Sequence, residues 1–221
     1  MSEHMALENL TVLDLTRVLA GPFCTMMLAD MGANVIKIEV PKGGDDTRSY
    51  PPFRAKNLDG ERESVYFANI NRNKKGITLN LKAPEGKEIF KELVKKADIV
   101  VENYRPGVMD KLGLGYDVLK EINPRIIYAA VSGFGCYGPY HLRPGYDILA
   151  QAMGGMMSIT GSKGGEPTRA GSALGDILGG LHVTIGILAA VNARTITGKG
   201  QRVDVSLMDS MIAATENTAL K

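Results

Sequence analysis

The 221-residue chain has no tryptophan, two cysteines and three histidines, and its formal charge of +2 leaves almost no excess of either sign. Each shortage closes a route. Cys24 and Cys136 are too few for a disulfide scaffold, which fits a reducing, cytoplasmic setting. Both lie near glycines and read as small buried residues. A nearly neutral chain with no basic run and no zinc spacing presents no polyanion-binding face, so no nucleic-acid partner is expected. Metal ligands are nowhere clustered, so no metal is expected. No segment has the length and purity of a membrane span, and no membrane partner is expected. The opening MSEHMALENLTVLDL lacks the basic-then-apolar order of a signal peptide, and Met1 to His4 read equally as leader or native chain.

Familiar catalytic signatures are missing too. G-x-G-x-x-G is absent after the first apolar run, where Gly21 stands alone before Pro22 and Phe23, so a dinucleotide is not expected there. There is no P-loop lysine motif, and no G-x-S-x-G elbow to build a hydrolase triad. His182 lies inside an apolar stretch and reads as a packed core residue, not a base.

What remains alternates strands with helices. Short apolar runs at 10–15, 34–39, 76–81, 98–102, 125–132 and 202–206 predict strands. Pro22 and Gly32 bracket a helix, and Pro84 opens another in which Ile89, Leu93 and Ala97 recur at four-residue spacing opposite lysines. Further helices are predicted from about Tyr146 to Gly154, from Asp176 to about Arg194, and from near Met208. The stretches 41–64 and 133–145 read as loops. The alternation predicts an α/β fold, a Rossmann-like parallel sheet flanked by helices. The 176–194 helix is apolar enough to expect burial on most sides.

One residue stands out in that helix. In SALGDILGG, Asp176 is an acid among small and apolar neighbours. An N-cap role would explain it, since Asp is a preferred N-cap whose charge suits the helix dipole. A nucleophile would explain it as well, because a rigid, partly dehydrated carboxylate can attack an activated acyl carbon. The two readings are compatible. Flanking glycines would let a bulky substrate approach the backbone.

The stretches VLDLTRVLAGPFCTMMLADMGANVIKIE, NRNKKGITLNLK, ADIVVENYRPGVMDKLGLGYDVL, NPRIIYAAVSGFG, GYDILAQAMGG and SALGDILGGLHVTIGILAAVNARTITGKGQRVDVSLMDS cover nearly everything after residue 9. Through them the chain resembles the N-terminal half of a class III (family III) CoA-transferase, the formyl-CoA transferase and carnitine CoA-transferase group. The resemblance implies that Asp176 is the catalytic nucleophile. It attacks a donor acyl-CoA, and CoA passes to a free carboxylic acid through mixed anhydrides and an aspartyl-CoA thioester. CoA and acyl-CoA are then substrates, with no permanently bound cofactor. The implied CoA contacts are Val18, Leu19 and Ala20 after the first strand, Leu79 and Lys82, Asn103, Tyr104, Arg105 and Lys111, and Ser132, Gly133 and Phe134 of VSGFG. Lys74 and Lys75 are weaker phosphate candidates.

Some positions depart from the family pattern. Val40 stands where formyl-CoA transferase carries an adenine-packing Arg, and Ser132 replaces a Lys. Adenine contacts and acyl selectivity are therefore expected to differ. The group also includes α-methylacyl-CoA racemases, whose histidine in a G-H-D-I stretch corresponds to Tyr146 here. A phenol is a poor exchange for an imidazole near neutral pH, which favours transfer over racemisation. The resemblance further implies a chain about twice as long, with a small second domain, forming interlocked homodimers. MIAATENTALK still reads as helix at Lys221. Residues 5–221 are thus expected to be a truncated CoA-binding large domain, prone to associate, weak for CoA and inactive alone. An inactive CoA-binding fragment and a racemase-type enzyme are the alternative readings.

Overall fold

The computed structural model describes residues 4–54, 62–216 and 218. The predicted loop at 41–64 falls partly outside these residues, and within it Asp46–Ser49 forms a 3-10 turn. Among the described residues six strands form: β1 (Thr11–Asp14), β2 (Asn34–Glu39), β3 (Lys75–Thr78), β4 (Ile99–Glu102), β5 (Ile127–Ser132) and β6 (Arg202–Ser206). They pair in parallel in the order β3-β2-β1-β4-β5-β6. This is the doubly wound order, and it reverses between β1 and β4. A crevice opens at the carboxyl ends of the strands at such a reversal, the usual ligand site of open α/β sheets.

The sheet is covered on both faces by α1 (Ala20–Asp30), α2 (Val65–Ile70), α3 (Pro84–Val94), α4 (Val108–Leu112), α5 (Tyr116–Ile122), α6 (Asp147–Met153), α7 (Leu174–Thr197) and α8 (Leu207–Thr215). Strand side chains alternate between two cores. Val12, Val35, Ile99, Val101, Ile127, Ala129 and Val131 point to one, with α1, α7 and α8 residues. Leu13, Ile38, Val100, Tyr128 and Ala130 point to the other, against Phe90 and Val94 of α3 and Leu119 of α5. Burial on both faces explains why the inner strands β4 and β5 read as nearly unbroken apolar runs, whereas edge strand β3 is exposed throughout.

Several boundaries differ from expectation for local reasons. β3 stops at Thr78, short of 81, because Asn80 turns the chain: its Oδ1 accepts the Lys82 N–H and its carbonyl accepts that of Ala83. α1 starts at Ala20, since the Leu19 carbonyl already accepts the Phe23 N–H. α2, α4 and α5 have six, five and seven residues, too short for an apolar period to show. α8 starts at Leu207, capped by Ser206 Oγ, which accepts the Asp209 N–H.

α7 departs furthest from its sequence reading. It runs to Thr197, and Gly198 closes it in the left-handed conformation. It is not buried on most sides: Gly179, Gly180, Val183, Ile187 and Ala190 face the core, whereas Leu181, His182 and Ile185 are exposed. His182 is therefore no core histidine. Uniform apolarity concealed the sidedness, because the buried face is marked by small residues. α7 is also long and apolar enough by composition to cross a membrane, which no segment was expected to be. In this fold it packs against the sheet, α1 and α8.

The glycines of GDILGG face protein, not an open approach for substrate. A Cβ on Gly179 would collide with Leu207 Cδ2, and one on Gly180 would lie 2.8 Å from the Ala20 carbonyl and 3.0 Å from Phe23 Cδ1. They set how closely α7 packs on α8 and α1. Gly180→Val should therefore cost about 1–3 kcal/mol through overpacking, read as a lower urea midpoint at unchanged m-value.

Candidate active site

A cavity of about 510 Å³ opens at the carboxyl ends of β1, β4 and β5. Its walls are Arg17 to Ala20 after β1, Asn103 to Pro106 and Val108 after β4, Val131 to Gly133 and Arg143 to Tyr146 around β5, with Asp176 and Leu207.

The loop after β1 is held before any ligand arrives. Asn103 clamps Arg17 as a strand neighbour would: its Oδ1 accepts the Arg17 N–H at 2.9 Å and its Nδ2 donates to the Arg17 carbonyl at 2.7 Å. Val18 sits in the left-handed region at φ 67°, a strained place for a β-branched residue. Its N–H donates to Asp45 Oδ1 at 3.2 Å. Asp45 is in turn fixed by the fully buried Lys37, whose Nζ donates to Asp45 Oδ2 at 2.9 Å and to the Thr16 carbonyl at 2.8 Å. Burial opposes the Asp45 charge, but Lys37 and the Thr47 donors outweigh it and keep the carboxyl below 3.8.

Asp176 is the third residue of α7. It is not the N-cap: Ala173 holds that position and makes no side-chain cap. The capping comes from another helix. Asp147, first residue of α6, accepts the Gly175 N–H on its Oδ1 at 2.8 Å. Its Oδ2 accepts from Gln151 Nε2 at 2.9 Å and pairs with Arg169 Nε at 3.4 Å. Asp176 is thus freed from capping and faces the cavity. Burial raises its carboxyl from 3.8 to about 7; the charge of Asp147 adds to the rise and Arg169 opposes it. Tyr66 of α2 faces the same acid, and burial, then the Asp176 charge, push its phenol to about 12.

Of the site residues expected from sequence, Val18, Leu19, Ala20, Asn103, Tyr104, Arg105, Ser132, Gly133 and Asp176 line this one cavity. Ser132 Oγ is buried without a hydrogen-bond partner. Leu79, Lys82, Lys111 and Phe134 lie outside the cavity wall. Leu79 packs half-buried on the second core, and Lys82 and Lys111 are exposed. Phe134 lines a neighbouring cavity of about 300 Å³, edge-on to Tyr140 at 5.8 Å. Lys75 Nζ donates to Asn34, and Lys74 is buried against Asp14.

Sequence reasoning missed Arg17, Arg143, Asp147 and Arg169 as site groups. Arg17 and Arg143 bring two more guanidiniums to the cavity beside Arg105, and Arg143 stacks 4.2 Å from the Tyr140 ring. An acid at the first position of a predicted helix was the available signal for Asp147; Arg169 carried none. Cys24 is fully buried and burial lifts its thiol to about 12, whereas Cys136 is only half-buried. Among the described residues, no three His, Cys, Asp or Glu gather as metal ligands. The arrangement offers a dehydrated carboxylate at the positive end of a long helix, in a cavity rimmed by arginines.

Comparison with known proteins places this geometry. The description "CoA-transferase family III" matches residues 7–221. The chain is 50% identical to an acyl-CoA transferase of Fusarium pseudograminearum, over 99% of this chain and 49% of that protein. It is 49% identical to a succinyl-CoA:mesaconate CoA-transferase of Haloarcula marismortui, over 96% of this chain and 54% of that protein. It superimposes on the crystal structure of a CAIB/BAIF family protein from Brucella suis with a TM-score of 0.94 at 45% identity, covering 99% of this chain and 57% of that one. The chain spans about half the length of the curated relatives it matches.

Proposed function

The chain belongs to CoA-transferase family III, and from that premise we propose that the protein moves CoA from an acyl-CoA to a free carboxylic acid with Asp176 as nucleophile. The observation that carries this reading is the dehydrated Asp176 carboxyl facing a preformed cavity at the sheet reversal. The relatives support thioesters of small acids such as succinate and mesaconate as substrates.

The ionised Asp176 attacks the donor thioester carbonyl, the C–S bond breaks, and a mixed anhydride and CoA thiolate form. The thiolate attacks the aspartyl carbonyl, releasing the donor acid and leaving aspartyl-CoA. The acceptor carboxylate attacks that thioester, giving a second anhydride and thiolate. The thiolate takes the acceptor acyl group and Asp176 is restored. Covalent relay preserves the activated bond, provided water is kept out. The preformed loop at Arg17 to Ala20 receives the pantetheine arm. Arg17, Arg105 and Arg143 supply cations for phosphate or for an acid's free carboxylate.

Racemisation needs two proton-transfer groups across one carbon. Among the described residues no histidine lines the cavity, and Tyr146, at 70% exposure, is solvated. Mass spectrometry of the full-length protein mixed with an acyl-CoA and a labelled free acid tests the reading. A CoA adduct on the Asp176 peptide and a labelled new thioester are expected. Rapid α-deuterium exchange of a chiral 2-methylacyl-CoA in deuterium oxide, without transfer, would replace transferase by racemase.

We further propose self-association as a homodimer. Ile148 and Met153 of α6, Leu181 and Ile185 of α7 and Ile212 of α8 are exposed apolar side chains on three mutually packed helices. Light scattering during size exclusion should give more than the monomer mass; a monomer at micromolar concentration overturns it.

A further inference from the structure

Among the described residues, Asp147 is the acid whose hydrogen bonds tie the nucleophile's helix to a second helix. Its Oδ1 takes the Gly175 N–H, the amide immediately before Asp176, at 2.8 Å. Its Oδ2 is held by Gln151 Nε2 at 2.9 Å, and Gln151 also donates to the Ser172 carbonyl at 3.2 Å and accepts the Ala170 N–H at 2.9 Å. The segment 169–175 is thereby stitched to α6 from both sides of Gln151. Contact is close: a Cβ on Gly175 would lie 3.2 Å from Asp147 Oδ1 and from the Ala150 Cβ. Arg169 Nε lies 3.4 Å from the same carboxylate, and its side chain is 44% exposed.

Two carboxyls and one guanidinium therefore share the mouth of α7. The other groups around Asp176 are the Tyr66 phenol from α2 and, on the cavity wall, Arg17, Tyr104, Arg105, Arg143 and Tyr146. We propose that Asp147 is the positioning residue of the nucleophile: it anchors the first turn of α7 on α6 and, with Arg169 beside its other oxygen, fixes the place and the charge surroundings of the Asp176 carboxylate. The proposal rests on the reading of Asp176 as nucleophile for its functional meaning, though its physical content does not.

The logic is opposition of charge. An ionised Asp147 disfavours a second charge beside it, and Arg169 favours one. Asp147→Asn keeps an oxygen for the Gly175 N–H and removes the negative charge. Arg169→Gln removes the positive one. The Asp176 titration midpoint, near 7, should fall by about one pH unit in the first variant and rise in the second. At pH 6 the first shift raises the ionised fraction of Asp176 about fivefold, from roughly a tenth to roughly a half.

The test is a carbon-13 NMR titration of protein labelled at the aspartate carboxyls, with the Asp176 resonance assigned by its loss in Asp176→Asn. The acid limb of transfer in the same variants is measured alongside. Opposite shifts in D147N and R169Q support the proposal. Midpoints that stay put while activity falls overturn it, since a merely structural role would lower the rate without moving the titration. Should D147N fail to fold, the R169Q titration decides alone. Opposite shifts in a protein that transfers no CoA would uphold the positioning role and sink the transferase reading, so the two failures are distinguishable.

Discussion

On the proposed role of Asp176, Asp176→Asn is expected to abolish CoA transfer by the full-length protein and to raise its stability at pH 8. The first half follows from the chemistry. An amide is not a nucleophile toward a thioester, so the loss should exceed about a thousandfold. The second half follows from linkage. The folded carboxyl titrates at about 7 because burial, then Asp147, disfavour its charge, against 3.8 for an unperturbed aspartate. The folded state therefore holds the proton more tightly than the unfolded state. Wild-type stability falls as pH rises from about 4 to 7 and stays low above that. Asparagine removes the penalty, so its advantage is near zero at pH 4 and complete by pH 8. Three pH units convert to about 4 kcal/mol, and the favourable helix dipole trims this to roughly 2–4 kcal/mol. For a chain of this size the melting temperature rises by roughly 5–12 °C at pH 8.

Glu102 complicates the same pH window and has to be separated from Asp176. It ends β4 at the sheet reversal, where burial raises its carboxyl to about 7 against the opposing hydrogen bonds from the Tyr104 N–H and the Tyr128 hydroxyl. Its contribution to stability has the same sign but does not involve Asp176. Scanning calorimetry from pH 4 to pH 8 on D176N and E102Q separates the two, because only the former should also lose transfer. A D176N protein no more stable than wild type at pH 8 would mean that Asp176 is well solvated or already ion-paired, and an active one that it is not the nucleophile.

How much of this was legible in the sequence divides along physical lines. Strands buried on both faces announce themselves as apolar runs, and five of the six expected strand positions hold to within one or two residues. β3 was overextended because the turn at Asn80 is made by one side chain and leaves no periodicity. Asp176 stood out because an acid among glycines is locally anomalous, but its helix position was misread. A cap supplied by Asp147, 28 residues upstream, is a tertiary fact that no local rule encodes. The glycines of GDILGG were seen and misassigned for the same reason: nothing local says whether a missing Cβ makes room for a ligand or for Leu207 and Ala20. The expected contacts that follow strand ends gather on one cavity wall, because loops after parallel strands converge at the sheet reversal. The expected lysines do not line it, and sequence does not distinguish an exposed phosphate binder from a buried structural cation.

Lys74 is the sharpest case of that last ambiguity and carries the largest stability effect. Its ammonium is 1% exposed and donates to Asp14 Oδ2 at 3.1 Å, the Pro22 carbonyl at 3.0 Å and Asn71 Oδ1 at 2.9 Å. Asp14 is fully buried and also accepts from Thr16 and from Thr25 Oγ1. Burial works against its charge, but Lys74, Lys37 and the two hydroxyls outweigh it and hold the carboxyl below 3.8. Lys74→Met removes the main counter-charge and should cost about 3–5 kcal/mol at pH 7, since it strands a buried carboxylate. Adding Asp14→Asn should recover much of that loss, because no unpaired charge then remains. The pH signature has a definite sign. In wild type the stabilisation from Asp14 is present above pH 3.8 and is lost as pH falls through its lower folded value. In K74M the carboxyl is pushed above 3.8, so the deficit widens from pH 3 toward neutrality. The same pair braces the start of α1 and the loop at Arg17 to Ala20 that walls the cavity, so K74M should weaken CoA binding without touching Asp176. Urea titrations at pH 3 and pH 7 on K74M and K74M/D14N, with calorimetry of CoA binding, check all four. A K74M protein as stable as wild type at pH 7 would show that the ammonium is replaceable by solvent and that Lys74 belongs with the surface lysines after all.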